Sequence, residues 1–267
     1  EEFPERFFDV GISEQNLMGI AAGLSTCGKI PFASTFAMFA TGRAYEIIRN
    51  SICYPKLNVK IAATHAGLTV GEDGATHQAI EDLSLMRSIP NMVVLNPADG
   101  VEARQCIFKA AEHKGPVYIR LGRSKVPTIF DDSYKFEIGK GVELKKGKDV
   151  TIIATGIMVE KALKAGEMLE KEGISPRIID ISTIKPIDKD IIIKAAKETK
   201  KIITAEEHSI IGGLGSAVAE VLSENYPVLL SRIGVEDTFG ESGTVDDVLE
   251  KYGFTAENIY NRVKKII

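Results

Sequence analysis

One feature constrains this chain more than any other. Short β-branched runs are followed, again and again along its 267 residues, by stretches with apolar side chains at helical spacing. Parallel strands buried between helices satisfy such a pattern: a strand covered on both faces is apolar throughout, and the helices covering it are apolar along one stripe. In the first half, residues 7–10, 31–34, 59–63, 92–95 and 117–121 read as strands. A helix capped by Ser13 places Leu17, Ile20, Ala21 and Leu24 on one face, and further helices fit residues 42–52, 76–87 and 99–113. From residue 122 to 149 the rhythm dissolves into Lys, Gly, Pro and Asp, which reads as a linker carrying a short extended piece or two. A second series starts at Val150, with strands at 150–154, 177–181, 201–205 and 228–233 and helices at 158–172, 189–198, 214–223, 245–251 and 256–264. The fold class is therefore α/β, with two three-layer αβα domains at residues 1–124 and 150–267 joined by residues 125–149.

Composition removes several function classes. Lys and Arg total 33 against 37 Asp and Glu, a net charge of −4, so no global field draws nucleic acid or an anionic membrane surface. No apolar run approaches the roughly 18–20 residues needed to span a bilayer. Cys27, Cys53 and Cys106 are odd in number and far apart, which excludes a disulfide framework and a thiolate zinc site and suits a reducing cytoplasm. With four histidines, a His-rich metal cluster is not expected either, and no metal ligand is assigned.

Chemistry-bearing residues gather after successive strands, at the sheet edge where open α/β folds bind ligands. The segment Gly67-Leu-Thr-Val-Gly71-Glu-Asp73-Gly74-Ala-Thr-His77-Gln78 follows the strand at 59–63 and, with His65 just before it, brings two imidazoles and a carboxylate onto one Gly-rich excursion. Imidazole exchanges protons near neutral pH and donates hydrogen bonds to hydroxyls; the bland alternative is a turn held by Asp73 and a solvated His77. The glycine spacing does not fit a Walker phosphate loop. A second glycine turn, Gly212-Gly213-Leu214-Gly215, has Val218 at the third position of a dinucleotide fingerprint and reads as structural, with nucleotide binding as the other possibility. Glu14 near a helix N-terminus is favoured by the helix dipole with or without a function. Phe36 and Phe39 fit a core or an aromatic wall beside a flat ring. Arg123, beyond the strand at 117–121, fits a surface charge or a bidentate anion contact.

Phe7-Phe8-Asp9-Val10-Gly11-Ile12-Ser13-Glu14-Gln15-Asn16, Ser34-Thr35-Phe36-Ala37-Met38-Phe39, Ala63-Thr64-His65-Ala66-Gly67 and Gly71-Glu72-Asp73-Gly74-Ala75-Thr76-His77-Gln78 together resemble the pyrimidine-binding domain of transketolase. Ala205-Glu206-Glu207-His208 with Gly212-Gly213-Leu214-Gly215 resembles the C-terminal domain of the same superfamily. The resemblance covers nearly the whole chain and implies the second half of a transketolase divided between two polypeptides, transferring a two-carbon ketol unit between sugar phosphates.

The resemblance also implies roles. Glu14 matches the carboxyl that hydrogen-bonds N1′ of the aminopyrimidine of thiamine diphosphate, promoting the imino tautomer that takes the C2 proton. Phe36 and Phe39 match the aromatics that pack on that ring. His65, Asp73 and His77 match contacts to the sugar hydroxyls, with His77 also counted as catalytic, and Arg123 matches a substrate-phosphate contact. The family carries an earlier segment of this domain, so a piece ahead of Glu1 is expected to be missing. No Gly-Asp-Gly and Asn metal motif occurs, so magnesium and the diphosphate are expected on a partner subunit, in a 2+2 assembly where copies of this chain also self-associate. Alone, the chain is expected to be catalytically silent. Deoxyxylulose-phosphate synthases, which usually carry Arg and Ala where this chain has His65 and Glu72, are the runner-up. The β subunits of 2-oxoacid dehydrogenases or a non-catalytic assembly module follow.

Overall fold

The computed structural model describes residues 2–267. In the first sheet, β1 (Phe32–Ala33), β2 (Lys60–Ala63), β4 (Val117–Arg120) and β3 (Val93–Leu95) lie side by side and parallel, and β8 (Thr183–Lys185) closes the edge antiparallel to β3. In the second, β10 (Leu229–Val235), β9 (Lys201–Ser209), β6 (Val150–Ala154) and β7 (Pro176–Asp180) are parallel, with β5 (Val142–Lys145) as the antiparallel edge. Every residue of β4, β6 and β7 is buried, as continuous apolar runs covered on both faces require. The chain is thus two α/β units, each a mostly parallel sheet flanked by helices.

The helices follow the apolar stripes. In the first unit they are α1 (Glu14–Thr26), α2 (Tyr45–Ile47), α3 (Asp82–Ser88) and α4 (Gly100–Glu112). In the second they are α5 (Met158–Glu170), α6 (Lys189–Thr199), α7 (Leu214–Asn225), α8 (Val245–Lys251) and α9 (Ala256–Ile266). One apolar core is continuous through both units, from Met18, Ile48 and Ile61 to Ile153, Ile179, Ile202 and Val218. Further cores fill the outer faces, around Val93, Cys106 and Ile119 on one sheet and around Ile152, Met158, Phe254 and Ile259 on the other.

Four expectations are corrected. Residues 7–10 form no strand: after a short turn at Pro4–Arg6 the chain runs without a sheet partner, and Phe7 is 74% and Ile12 100% exposed. The stretch around residues 42–52 is helical but wide-turned, with π-type turns at Phe39–Arg43 and Ile48–Cys53 on either side of α2. The helix expected over 76–87 begins only at Asp82, because residues 75–77 form a turn and Ala79 is drawn into a parallel bridge with Ala66, which ties the far end of the loop to its start. Ser13 stands at the N-cap of α1, but its side chain makes no capping bond. Within 125–149 only β5 is regular, yet the segment is pinned: Asp99 caps α4 through the amide of Glu102 and its other carboxylate oxygen accepts the amides of Ile129 and Phe130 at 2.7 and 2.9 Å.

Candidate active site

The strand ends of the first sheet bring four rings together. His65 follows β2 with φ of +59°, a left-handed conformation that costs a non-glycine residue on the order of 1 kcal/mol or more. Its ring lies flat on Phe36, centroids 3.9 Å apart and planes 10° off parallel. Phe36 is near-parallel to Phe39 at 6.2 Å, and His77 stands edge-on to both, 5.2 Å from Phe39 and 6.2 Å from Phe36. Each histidine follows a threonine, and that hydroxyl bonds its Nδ1: Thr64 to His65 and Thr76 to His77, both at 2.9 Å. Nδ1 is thereby occupied in either tautomer and Nε2 is left for a ligand. Burial lowers the pKa of His65, the Arg123 guanidinium lowers it further and Asp73 opposes them, so His65 is neutral at pH 7.

Arg123 and Asp73 form an exposed ion pair at 3.3 Å, and the same Nη1 of Arg123 donates to Val70 O at 2.7 Å. The guanidinium is held by one nitrogen, and the rest of its fork makes no hydrogen bond among the described residues. Glu14, at the start of α1, is half-buried rather than buried, and its carboxylate has no hydrogen-bond partner among the described residues. It lines a cleft of about 220 Å³ with Phe7, Phe8, Asp9, Val10, Ser34 and Thr35. That cleft runs along the 34–35 segment to Phe36, and α1 packs on the turn bearing Phe39. Phe36, Phe39, His65 and His77 therefore make one cluster, Asp73 and Arg123 a second group reached through the field at His65, and Glu14 stands in the neighbouring cleft. No group of three or more His, Cys, Asp and Glu side chains among the described residues is placed to hold a metal ion.

Local spacing does not disclose what holds this site. At the base of the 65–79 loop, buried Arg120 donates from Nε to Asp82 at 2.8 Å, and from Nη2 to Ala79 O at 3.3 Å and Glu207 O at 2.9 Å. Tyr118 donates to the same Asp82 oxygen at 2.6 Å. The adjacent acids of β9 point to opposite faces. Glu206 accepts the amides of Leu214 and Gly215 at 2.6 and 2.7 Å, filling the α7 N-terminus from within, and burial pushes its carboxyl up to about 7. The Gly212–Gly215 turn is thus occupied by the chain's own carboxyl, and a side chain on Gly213 would overlap it. Glu207 reaches the other unit and accepts the amide of Thr69 at 2.7 Å.

Family models for the transketolase pyrimidine binding domain and the transketolase C-terminal domain match residues 1–128 and 139–259. The chain belongs to the transketolase family. It is 56% identical to a putative transketolase C-terminal section of Methanocaldococcus jannaschii, covering 98% of this chain and 83% of that protein. It is 44% identical to a 6-deoxy-6-sulfo-D-fructose transketolase subunit of a Clostridium species, covering 100% and 83%. A solved split-gene transketolase, an inactive β4 tetramer, superposes with a TM-score of 0.93 at 63% identity, over 98% of this chain and 84% of that one. Its relatives also include 1-deoxy-D-xylulose-5-phosphate synthases, 38% identical in Heliobacterium modesticaldum, where this chain spans 40% of the protein. The chain is thus a transketolase-family section of the C-terminal, split-gene kind.

Proposed function

We propose that this chain is the pyrimidine-side subunit of a thiamine-diphosphate-dependent transketolase, moving a two-carbon ketol unit between sugar phosphates with a partner subunit that holds the diphosphate and magnesium. The observation that carries this reading is the ring cluster Phe36–Phe39–His65–His77 set between the unpartnered Glu14 carboxylate and the Asp73–Arg123 pair. These groups suit an aminopyrimidine in kind: Phe36 and Phe39 offer aromatic faces, and Glu14 offers an acceptor that none of the described residues of its own chain uses. When bound, thiamine diphosphate supplies the carbanion-stabilising electron sink.

The chain's own residues bind, orient and exchange protons. Glu14 Oε holds the proton shared with the ring nitrogen. His65 and His77, each tied at Nδ1, present Nε2 to sugar hydroxyls, as donor or acceptor according to the tautomer the threonine sets. Asp73 accepts from a hydroxyl and steadies Arg123, whose free guanidinium edge takes the phosphate bidentately. Copies of this chain pair with one another within a 2+2 assembly with the partner, and the three thiols, none in a disulfide, fit a cytoplasmic setting. With the partner present, Glu14→Ala is expected to lower ketol transfer by about 10²–10⁴-fold while the circular dichroism spectrum stays that of the wild type. Wild-type activity in that variant overturns the reading.

A further inference from the structure

The C-terminal unit contributes none of the side chains assigned above, yet it holds the loop that carries three of them. Three glycines in that loop, Gly67, Gly71 and Gly74, have φ angles of +82°, +76° and +74°, and each lies against an atom of the other unit. A side chain on Gly67 would overlap the Glu207 carboxyl, and one on Gly74 would overlap Ser242 Oγ. At Gly71 a Cβ would come within 3.3 Å of Gly243 O. The glycines therefore serve the close approach of a second backbone and side chain, not the cradling of a phosphate.

Two polar contacts fix that approach. Buried Glu207 accepts the Thr69 amide at 2.7 Å, and its own carbonyl accepts Arg120, which also holds Ala79 O at the far end of the loop. Gln78, 2% exposed, donates from Nε2 to Leu68 O within the loop at 3.2 Å and to Glu241 O of the C-terminal unit at 2.9 Å. Gly240 leaves room for that carboxamide, since a Cβ there would overlap Gln78 Oε1. Asp73 and His77 are strung between these two anchors, four residues after Thr69 and one before Gln78.

We propose that Glu207 and Gln78 are positioning residues, through which the C-terminal unit sets the geometry of Asp73 and His77 for sugar-phosphate binding. Neither residue hydrogen-bonds α1, which carries Glu14, and Phe39 meets the loop through the edge of His77, so the sugar-phosphate side of the site depends on the anchor more directly than the Glu14 carboxylate does. The substrate assignment rests on the proposed function; the anchoring of the loop does not.

Two measurements on Glu207→Ala, Glu207→Gln and Gln78→Met separate the two. Hydrogen exchange on the chain alone is expected to accelerate about tenfold or more in residues 68–79 of Glu207→Ala and Gln78→Met, with α1 unchanged, whatever the enzyme's substrate. Glu207→Gln retains an acceptor and the shape and is expected to stay close to wild type. In the complex with the partner, KM for the sugar phosphate is expected to rise about tenfold in Glu207→Ala and Gln78→Met, as a small misplacement of binding groups requires, with the thiamine diphosphate requirement unchanged. Unchanged exchange in residues 68–79, or acceleration spread equally over α1, overturns the anchoring itself. Faster loop exchange with an unchanged sugar-phosphate KM in an active complex overturns the positioning role. Faster loop exchange in a complex without ketol transfer in the wild type refutes the proposed function and leaves the anchor standing.

Discussion

Asp82 offers the sharpest stability test, because its environment contains both halves of a buried ion pair. Its Oδ2 accepts Arg120 Nε at 2.8 Å and Tyr118 Oη at 2.6 Å, with Asp82 0%, Tyr118 0% and Arg120 4% exposed. Asp82→Ala removes the carboxylate and leaves a buried guanidinium balanced by carbonyls and by Glu207, whose carboxyl burial pushes up. Breaking a buried pair from one side costs about 3–5 kcal/mol. Asp82→Asn keeps an acceptor for both donors and loses the charge, so about 1.5–3 kcal/mol is expected. Replacing both partners, as Asp82→Leu with Arg120→Met, leaves neither charge of the pair alone, though Tyr118 and Glu207 each lose a partner, and is expected to cost less than the two single changes added. The pH dependence has a definite sign. Burial pushes the Asp82 carboxyl up, but Arg120, His208 and Tyr118 together bring it below its ordinary 3.8. A lowered folded value means stability that is present at neutral pH and is lost as pH falls through that value. Urea unfolding followed by circular dichroism measures these proteins and the single variants Asp82→Leu and Arg120→Met, at pH 7 and down the acid limb. A loss under about 1 kcal/mol for Asp82→Ala, or a double variant as costly as the two single changes added, refutes the reasoning.

In the native protein an aromatic disulfide reagent is expected to label one of three thiols, exposed Cys27. Burial pushes Cys53 up to about 12 and Cys106 higher still, so rapid labelling of either without denaturant contradicts the packing. Arg123→Ala removes an ion pair whose side chains are 42% and 40% exposed, so stability should change by less than about 1 kcal/mol. Its sugar-phosphate KM in the complex should rise about tenfold or more, as loss of the proposed charge-assisted bidentate contact requires; an unchanged KM removes Arg123 from the proposed anion site.

The sequence discloses what is local and periodic. The strands at 59–63 and 117–121 are visible because a buried parallel strand is a continuous β-branched run, and the observed Lys60–Ala63 and Val117–Arg120 lie within them. The same signal misleads at 7–10, where Phe7 and Phe8 are as apolar as a strand but lie outside the sheet, since an apolar run does not specify a hydrogen-bonding partner. β8 escapes notice for the opposite reason. It is three residues long, follows β7 closely and pairs with β3 of the other sheet, a contact that nothing in its own spacing encodes. In the candidate site, His65, Asp73, His77 and Arg123 stand out by residue type and by their place after strands. Glu207 does not, because its partner Thr69 is 138 residues away.

The glycine-rich loops show how a motif's chemistry depends on what occupies it. Both look like ligand loops, and both are occupied by a neighbouring pair of acids on one strand. Because β9 points successive side chains to opposite faces, Glu206 closes the Gly212–Gly215 turn within its own unit while Glu207 crosses to Gly67 and Thr69. Exchanging which acid faces which loop would need a one-residue slip of the strand, which would turn every side chain of buried β9 to the wrong face. The register of the C-terminal sheet and the position of the loop bearing Asp73 and His77 are therefore set together. On this account the second unit acts on the site without lending it a reacting atom.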